Sequence, residues 1–285
     1  MITLGTRLRL KSFQSAKPFL KWAGGKTQLI PELEKRLPEQ IRKSRVIEQY
    51  IEPFAGSGAF FFYLFSNFTI RKAILIDNNP DLIMAYKVIK QSPEELIKQL
   101  KKYSREYNRD CRSEDERKSY FYAVREEFNN QKEKINYKKH SNDWILRTAM
   151  LIYLNRTCFN GLFRLNSKGE FNVPHGRYTN PRICDEDNIT AVNKVLKKVT
   201  LLCGDFELTE KFVKDNTLIY YDPPYKPLSE TSSFTSYTTN GFDDNEQKRL
   251  AEFIKRINRG TVFQILSNSD PQNTDSKNRF FDNLY

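Results

Sequence analysis

The chain has 285 residues and a mass of 33.7 kDa, with 39% hydrophobic residues, 13% aromatics and a formal net charge of +12. That length accommodates one large domain or two ordinary ones, and the apolar content supports a sizeable core and excludes wholesale disorder. A basic excess of this size points to a polyanion partner, with nucleic acid first and an acidic membrane surface second.

Cys111, Cys158, Cys184 and Cys203 are scattered with no C-x-x-C, and neither His140 nor His175 lies near a cysteine pair. A metal site and a disulfide framework are therefore not expected. No run approaches the ~18 apolar residues of a membrane span. Residues 1–16 mix Arg7, Arg9 and Lys11 with single apolar residues, which reads as the N-terminal tail of a cytoplasmic protein rather than a signal peptide.

Lys21-Trp22-Ala23-Gly24-Gly25-Lys26-Thr27 follows, then Leu29, Ile30, Leu33 and Leu37 at helical spacing, ended by Pro38. A phosphate-binding P-loop needs glycine five residues before Gly25, where Leu20 stands, so a nucleoside-triphosphate cradle is not expected. What remains is a glycine turn at a helix start, beside Lys21, Trp22 and Lys26. It suits a carboxylate or is a plain helix entry.

Tyr50-Ile51-Glu52-Pro53-Phe54-Ala55-Gly56-Ser57-Gly58 reads as strand and Gly-x-Gly turn, with a helix from Ala59. Phe61 replaces the third glycine of the dinucleotide fingerprint, which favours a nucleoside without pyrophosphate over NAD. A second strand, Ala73-Ile74-Leu75-Ile76-Asp77, ends in an acid 77 − 58 = 19 residues after Gly58. That is near the ~20-residue spacing of a ribose-binding acid. Asp77 equally suits the N-cap of a helix opening at Pro80, and spacing does not separate the two.

Residues 81–156 read as helices inserted between strands, with Leu96, Leu100, Tyr103, Tyr107 and later Tyr120, Val124, Phe128 at helical spacing. Breaks are expected near 108–117 and 136–142. Residues 162–165 and 170–173 then pair as a hairpin across Asn166-Ser167-Lys168-Gly169. Arginines, asparagines and aromatics interleave on it, as suits phosphate contact, guanine readout and a wedge between bases. An ordinary amphipathic hairpin is the alternative.

The strand at 199–203 leads to Asp205, which could accept from an adenine amino group or cap the next helix. Leu218-Ile219-Tyr220-Tyr221-Asp222-Pro223-Pro224-Tyr225 is a buried strand stopped by two prolines. It holds a carboxylate, backbone carbonyls and a flat ring at a strand's carboxyl end, a set that grips a planar amine. A polar stretch at 229–241, a helix at 245–258 and a strand at 261–266 complete the chain.

Acids at three strand ends, Asp77, Asp205 and Asp222, favour hydroxyls, amines and a sulfonium over phosphate. S-adenosyl-L-methionine carries all three. Methyl transfer from it is a direct displacement, and orientation alone contributes roughly 7–11 kcal/mol to such steps. Asp222 and the Pro223 carbonyl would accept both N6 hydrogens of an adenine flipped from its duplex, with Tyr225 stacked on the base.

These residues resemble the Dam-type, α-class (D12 family) DNA adenine-N6 methyltransferases. The likeness runs from Lys17 to the end, through Lys21 to Lys26, Glu52 to Gly58, the hairpin from Asn160 to Tyr178, and Asp222-Pro223-Pro224-Tyr225. It implies a Rossmann-like α/β sheet with an inserted helical target-recognition domain carrying a β-hairpin. The division would be 1–16 tail, 17–80 and 185–285 catalytic, 81–184 target recognition. It further implies S-adenosyl-L-methionine bound by Trp22, Lys26, Phe54, Gly56, Gly58, Asp77, Asp205 and Asp222, and catalysis at Asp222, Pro223, Pro224 and Tyr225. Duplex DNA would meet Phe159 and Asn160 as the intercalating pair, Leu162 beside them, Arg164 on a guanine and Arg177 on phosphate. Phe163 receives no role.

The implied target is GATC; the chain is read as a monomer, with a cognate restriction endonuclease as a candidate system partner whose presence the sequence leaves open. Family members continue beyond the segment matching Ser267-Asn268-Ser269-Asp270 with a further strand pair, whereas this sequence stops at Tyr285. A catalytically impaired DNA-binding chain is therefore one alternative reading. Methylation of another planar amine, such as cytosine N4 or RNA adenine, is the other.

Overall fold

Apolar runs that end in acids become strands, and the periodic charged segments become helices. The computed structural model describes residues 15–22, 28–225, 242–269, 272 and 277–285. Helix α1 (Ile30–Lys35) comes first, then α2 (Glu39–Ser44) with Pro38 at its N-cap. Pro38 thus opens a second helix as well as closing the first. Its fixed φ suits a helix entry, and its ring bars the residue before it from helical geometry.

Strands β1 (Val46–Ile47) and β2 (Gln49–Glu52) follow, then α3 (Ala59–Asn67), β3 (Thr69–Ile70) and β4 (Ala73–Asp77). Next come α4 (Pro80–Gln91), α5 (Pro93–Arg105), α6 (Glu114–Asn130), α7 (Asn142–Thr157) and α8 (Glu186–Leu196). The chain then forms β5 (Val199–Cys203), β6 (Thr217–Tyr221), α9 (Asp244–Ile257) and β7 (Phe263–Leu266). The expected breaks are present. A π-helical turn, Glu106–Asp110, leads to a Ser113–Glu116 capping box at the start of α6, and α7 begins at Asn142.

The main sheet is five-stranded and parallel, in the order β5-β4-β2-β6-β7, with β1 and β3 pairing separately. From β2 the chain winds outward through β4 to β5, then returns to lay β6 on the other side of β2. The topological switch point therefore lies between β2 and β6, and the crevice outside their carboxyl ends is where such sheets bind ligands.

Both faces of the sheet are covered. Tyr50, Leu75, Leu218 and Tyr220 belong to a core shared with α3, α4, α5 and α7, while Ile51, Ile74, Ile76, Ile219 and Tyr221 meet Leu250, Phe253 and Ile257 of α9. Alternate residues of each strand go to opposite layers, as the pleat requires.

Helices α6 and α7 are joined to α4 by a buried ion pair. Arg147 of α7, 1% exposed, donates from Nε and Nη2 to both carboxylate oxygens of Asp81 in α4, at 2.6 and 2.8 Å. Its third donor reaches the Phe128 carbonyl of α6, and Tyr137 donates to Asp81 at 2.9 Å. Every charged atom is thus matched, and removing one partner strands the other in a low-dielectric site. Arg147→Ala is expected to cost about 3–5 kcal/mol, read as a lower urea midpoint with an unchanged slope.

Candidate active site

The turn after β2 is built on Gly56 and Gly58, at φ +47° and +68°. These are values that only glycine adopts cheaply. Space forbids a side chain as well. A Cβ at Gly58 would lie 2.8 Å from the Tyr86 hydroxyl, and one at Gly56 would lie 3.1 Å from Nε1 of Trp22. Tyr86, buried on α4, donates to the Gly56 carbonyl at 3.1 Å and so props the turn from below.

Asp77, at the end of β4, closes the turn from the other side. Its Oδ2 accepts from the Gly56 N–H at 2.9 Å, and its Oδ1 accepts from the Asn79 N–H at 2.9 Å. The helix-cap reading of Asp77 is not what the fold uses. Asn79 caps α4 instead, accepting from Leu82 N at 3.1 Å. Burial pushes the Asp77 carboxyl above its ordinary value, while the two backbone donors oppose that rise.

Trp22 packs its indole against Gly56 and stacks on Phe163, with centroids 5.2 Å apart and planes 16° apart. Phe54 packs against Phe206 and Phe242, at centroid distances of 5.6 and 5.5 Å. Lys26 lies outside the described residues, as do 229–241.

Asp205 takes the capping role. It starts the 3-10 helix Phe206–Phe212 by accepting from Glu207 N at 2.9 Å, and forms a two-pronged pair with Arg249 of α9 at 3.1 and 2.7 Å. Burial raises its carboxyl, but the bonds from Arg249 and Glu207 outweigh that and hold it below its ordinary value.

Asp222, half-buried, leaves β6 beside the glycine turn. Ile51 of β2 is in register with Ile219 of β6, so both chains exit the same sheet edge. The following prolines are braced from α9, where the fully buried Gln247 donates to the Pro224 carbonyl at 3.1 Å and accepts from Asn268 at 2.9 Å. Ser267 adds a bond from its N–H to the Tyr221 carbonyl at 2.9 Å, and its hydroxyl meets that of Tyr220 at 3.0 Å. Sequence reading passed over Gln247; its signal was an amide on the apolar stripe of an otherwise charged helix.

Glu52 was also passed over as a functional group. It ends β2, is buried, and accepts from the Tyr50 hydroxyl at 2.8 Å. Burial drives its carboxyl well above the ordinary 4.5. The Tyr50 bond opposes this, and the charges of Asp222 and Asp77 add to it. Glu52, Asp77 and Asp222 thus share one low-dielectric neighbourhood.

The hairpin is present as an antiparallel pairing of Leu165 with Phe171, and Cys158 bridges His175 at its base. Asn166 N donates to Glu170 O and Asn172 N to Arg164 O. Asn129 of α6 grips Phe171 through both its N–H and its carbonyl, at 2.8 and 3.1 Å. At the tip of a short 3-10 turn Phe159 is 52% exposed, and Asn160 sits at φ +54°. Leu162 is half-buried. Arg164 is half-buried too and donates from Nε to Asn172 at 2.9 Å. Exposed Arg177, at φ +58°, lies 3.5 Å from Glu114, a solvent-screened pair of little energetic weight. His175 is buried and hydrogen-bonded to the Tyr107 hydroxyl at 2.6 Å, anchoring the base of the hairpin, and burial lowers its pKa.

Acceptors for hydroxyl and amino groups, set around a bare backbone turn at the switch point of a parallel sheet, place the fold with the Rossmann-like methyltransferases. More narrowly, the chain belongs to the D12 class of N6 adenine-specific DNA methyltransferases, whose family model matches residues 22–285. It is 46% identical over 269 residues to the Type II methyltransferase M.MjaIII of Methanocaldococcus jannaschii, across 94% of this chain and 88% of that one. Against the Type II methyltransferase M1.LlaDCHI of Lactococcus lactis it is 39% identical, across 89% and 81% of the two chains. With the DNA adenine methylase of Haemophilus influenzae it shares 38% identity, across 93% and 84%. The chain is therefore a site-specific adenine DNA methyltransferase, and among its described residues no helix is long and apolar enough to cross a membrane.

The raised Glu52 carboxyl carries a pH signature. The native chain holds that proton more tightly than the unfolded chain does. Its stabilising contribution is therefore complete below pH 4.5 and is lost as pH rises from there through the elevated native value. Glu52→Gln keeps the shape and an acceptor for Tyr50. It is expected to flatten the fall in urea midpoint above pH 4.5; an unchanged slope would mean that Glu52 is ionised in the native protein.

Proposed function

We propose that the chain transfers a methyl group from S-adenosyl-L-methionine to N6 of adenine within GATC, acting on a base flipped out of duplex DNA. The observation that carries this reading is the adjacency of the Gly56–Gly58 turn and Asp222 across β2 and β6.

The residues fit the cofactor. The turn brings bare backbone close to a ligand, and Trp22 and Tyr86 pack against its two glycines so tightly that no side chain fits there. Asp77 retains lone pairs for ribose hydroxyls after its two backbone bonds. Trp22, Phe54 and Lys26 complete the binding set, while Asp205 contributes through the Arg249 pair that fixes its loop. When bound, S-adenosyl-L-methionine supplies an electrophilic methyl on a sulfonium.

The chain's own contribution is placement. Asp222 and the Pro223 carbonyl accept the two N6 hydrogens of adenine and hold the amine's lone pair on one side. Tyr225 stacks on the base. Pro223 and Pro224 fix the backbone, and Gln247 keeps it from shifting. Flipping costs a few kcal/mol of stacking, and Phe159 at its exposed tip fills the vacated space with Asn160 and Leu162 beside it. Arg164, oriented by Asn172, reads a guanine; Arg177 takes a phosphate. Residues 17–80 and 185–285 form the catalytic unit and 81–184 the target-recognition unit, working as a monomer in the cytoplasm with a cognate restriction endonuclease as system partner.

Asp222→Ala is expected to retain duplex binding in a gel-shift assay and lose transfer of labelled methyl to GATC duplex. Turnover within tenfold of the parent would remove Asp222 from the chemistry. Arg164→Ala should relax the preference for one guanine by about 1–3 kcal/mol, scored as kcat/KM on GATC against singly substituted duplexes.

A further inference from the structure

Asn155 is a polar residue in the last turn of α7, following the apolar run from Met150 to Leu154, and it is 1% exposed. Its side chain is fully used. Oδ1 accepts from the Lys21 N–H at 2.8 Å, while Nδ2 donates to the Lys21 carbonyl at 2.9 Å and to the Gly161 carbonyl at 2.8 Å. The orientation of the amide is forced, because one partner can only donate and two can only accept. One buried side chain therefore binds the segment that ends in Trp22, which presses on the glycine turn, and also the base of the hairpin.

Around this clamp the two segments are in direct contact. Gly161, at φ +65°, lies so close that a Cβ there would meet Lys21 Cδ at 2.3 Å. Trp22 stacks on Phe163, itself 1% exposed. Lys21 Nζ lies 5.5 Å over the Tyr178 ring. A second amide, Asn188 of α8, holds the same arm further back. It accepts from Lys17 N at 2.9 Å and donates to Lys17 O at 3.0 Å, but its bonds do not reach the hairpin.

We infer that Asn155 is a positioning residue that locks the Lys21–Trp22 arm and the hairpin into one unit, so that cofactor and duplex bind cooperatively through it. The inference rests on the functional reading above, in which Trp22 serves the cofactor and the hairpin serves the DNA. A ligand that fixes the indole also fixes the Gly161 carbonyl, and a duplex that seats the hairpin also seats the arm. Linkage makes the effect reciprocal. The Phe163 ring belongs to the same unit.

The test is the dissociation constant of S-adenosylhomocysteine, measured by calorimetry alone and with a saturating duplex that the parent chain methylates. In the parent, the duplex is expected to tighten binding by about fivefold or more, within the usual range of coupling between sites. Asn155→Asp keeps the acceptor for Lys21 N–H, loses both donated bonds, and should bring that ratio to about one. Asn188→Ala should weaken the analogue while preserving the ratio.

A parent ratio near one, an unchanged ratio in Asn155→Asp, or an equal loss in Asn188→Ala would each overturn the assignment. Should Asn155→Asp lose its cooperative melting transition, Phe163→Leu is read by the same criterion. A parent chain that binds neither probe would overturn the functional reading, and the coupling with it, whereas failure of the coupling alone leaves both bindings intact.

Discussion

Two parallel strands lie side by side with their crossovers running in opposite directions, and the site depends on that adjacency. β2 delivers a turn of bare backbone; β6 delivers a carboxylate followed by two prolines. Parallel neighbours are about 4.8 Å apart, so in-register strands that leave one sheet edge bring their loops into a common crevice without any further device. The reversal of strand order at this point keeps helices from covering it. Activity then becomes a question of how firmly the two loops are held.

They are held by buried polar groups rather than by apolar contact alone. Tyr86 and Asp77 fix the glycine turn, while Gln247, Ser267 and Asn268 fix the proline turn. This carries an electrostatic cost. Glu52, Asp77 and Asp222 crowd one low-dielectric region, where burial first, and then the charges of Asp222 and Asp77, push the Glu52 carboxyl well above its ordinary value. Two hydrogen-bonded backbone N–H groups offset the same penalty at Asp77.

The strands of the five-stranded sheet were legible because their residues alternate between two cores or run apolar throughout, and β2, β4, β5 and β6 each run into an acid or glycine, whereas the short β1 and β3 were not foreseen. The helical insert was legible from spacing, and its breaks from polar, turn-forming residues at 108–117 and 136–142. The Gly-x-Gly turn could be read because its positive φ values favour glycine. Asp77 and Asp205 could not be resolved by spacing, since an acid after a strand serves a cap and a ligand equally well. The fold divides them: Asn79 caps α4 and leaves Asp77 on the turn, whereas Asp205 caps its own helix and pairs with Arg249. Pro38 had two roles where one was expected.

Four of the residues that escaped notice share one physical type. Asn129, Asn155, Asn188 and Gln247 are amides on helices, and each presents a donor and an acceptor together. Asn129, Asn155 and Asn188 each bond both the N–H and the C=O of a single residue, as a neighbouring strand would. They let a helix hold an irregular segment that has no sheet partner, which the N-terminal arm and the hairpin both need. In sequence such an amide looks like any polar helix residue, because its meaning lies in a segment as far as 171 positions away. A chain that must keep its N-terminal arm and its hairpin in register without a continuous sheet between them has few other means. Ion pairs would add desolvation cost in a buried position, and apolar packing alone would not fix the slide of one backbone along another.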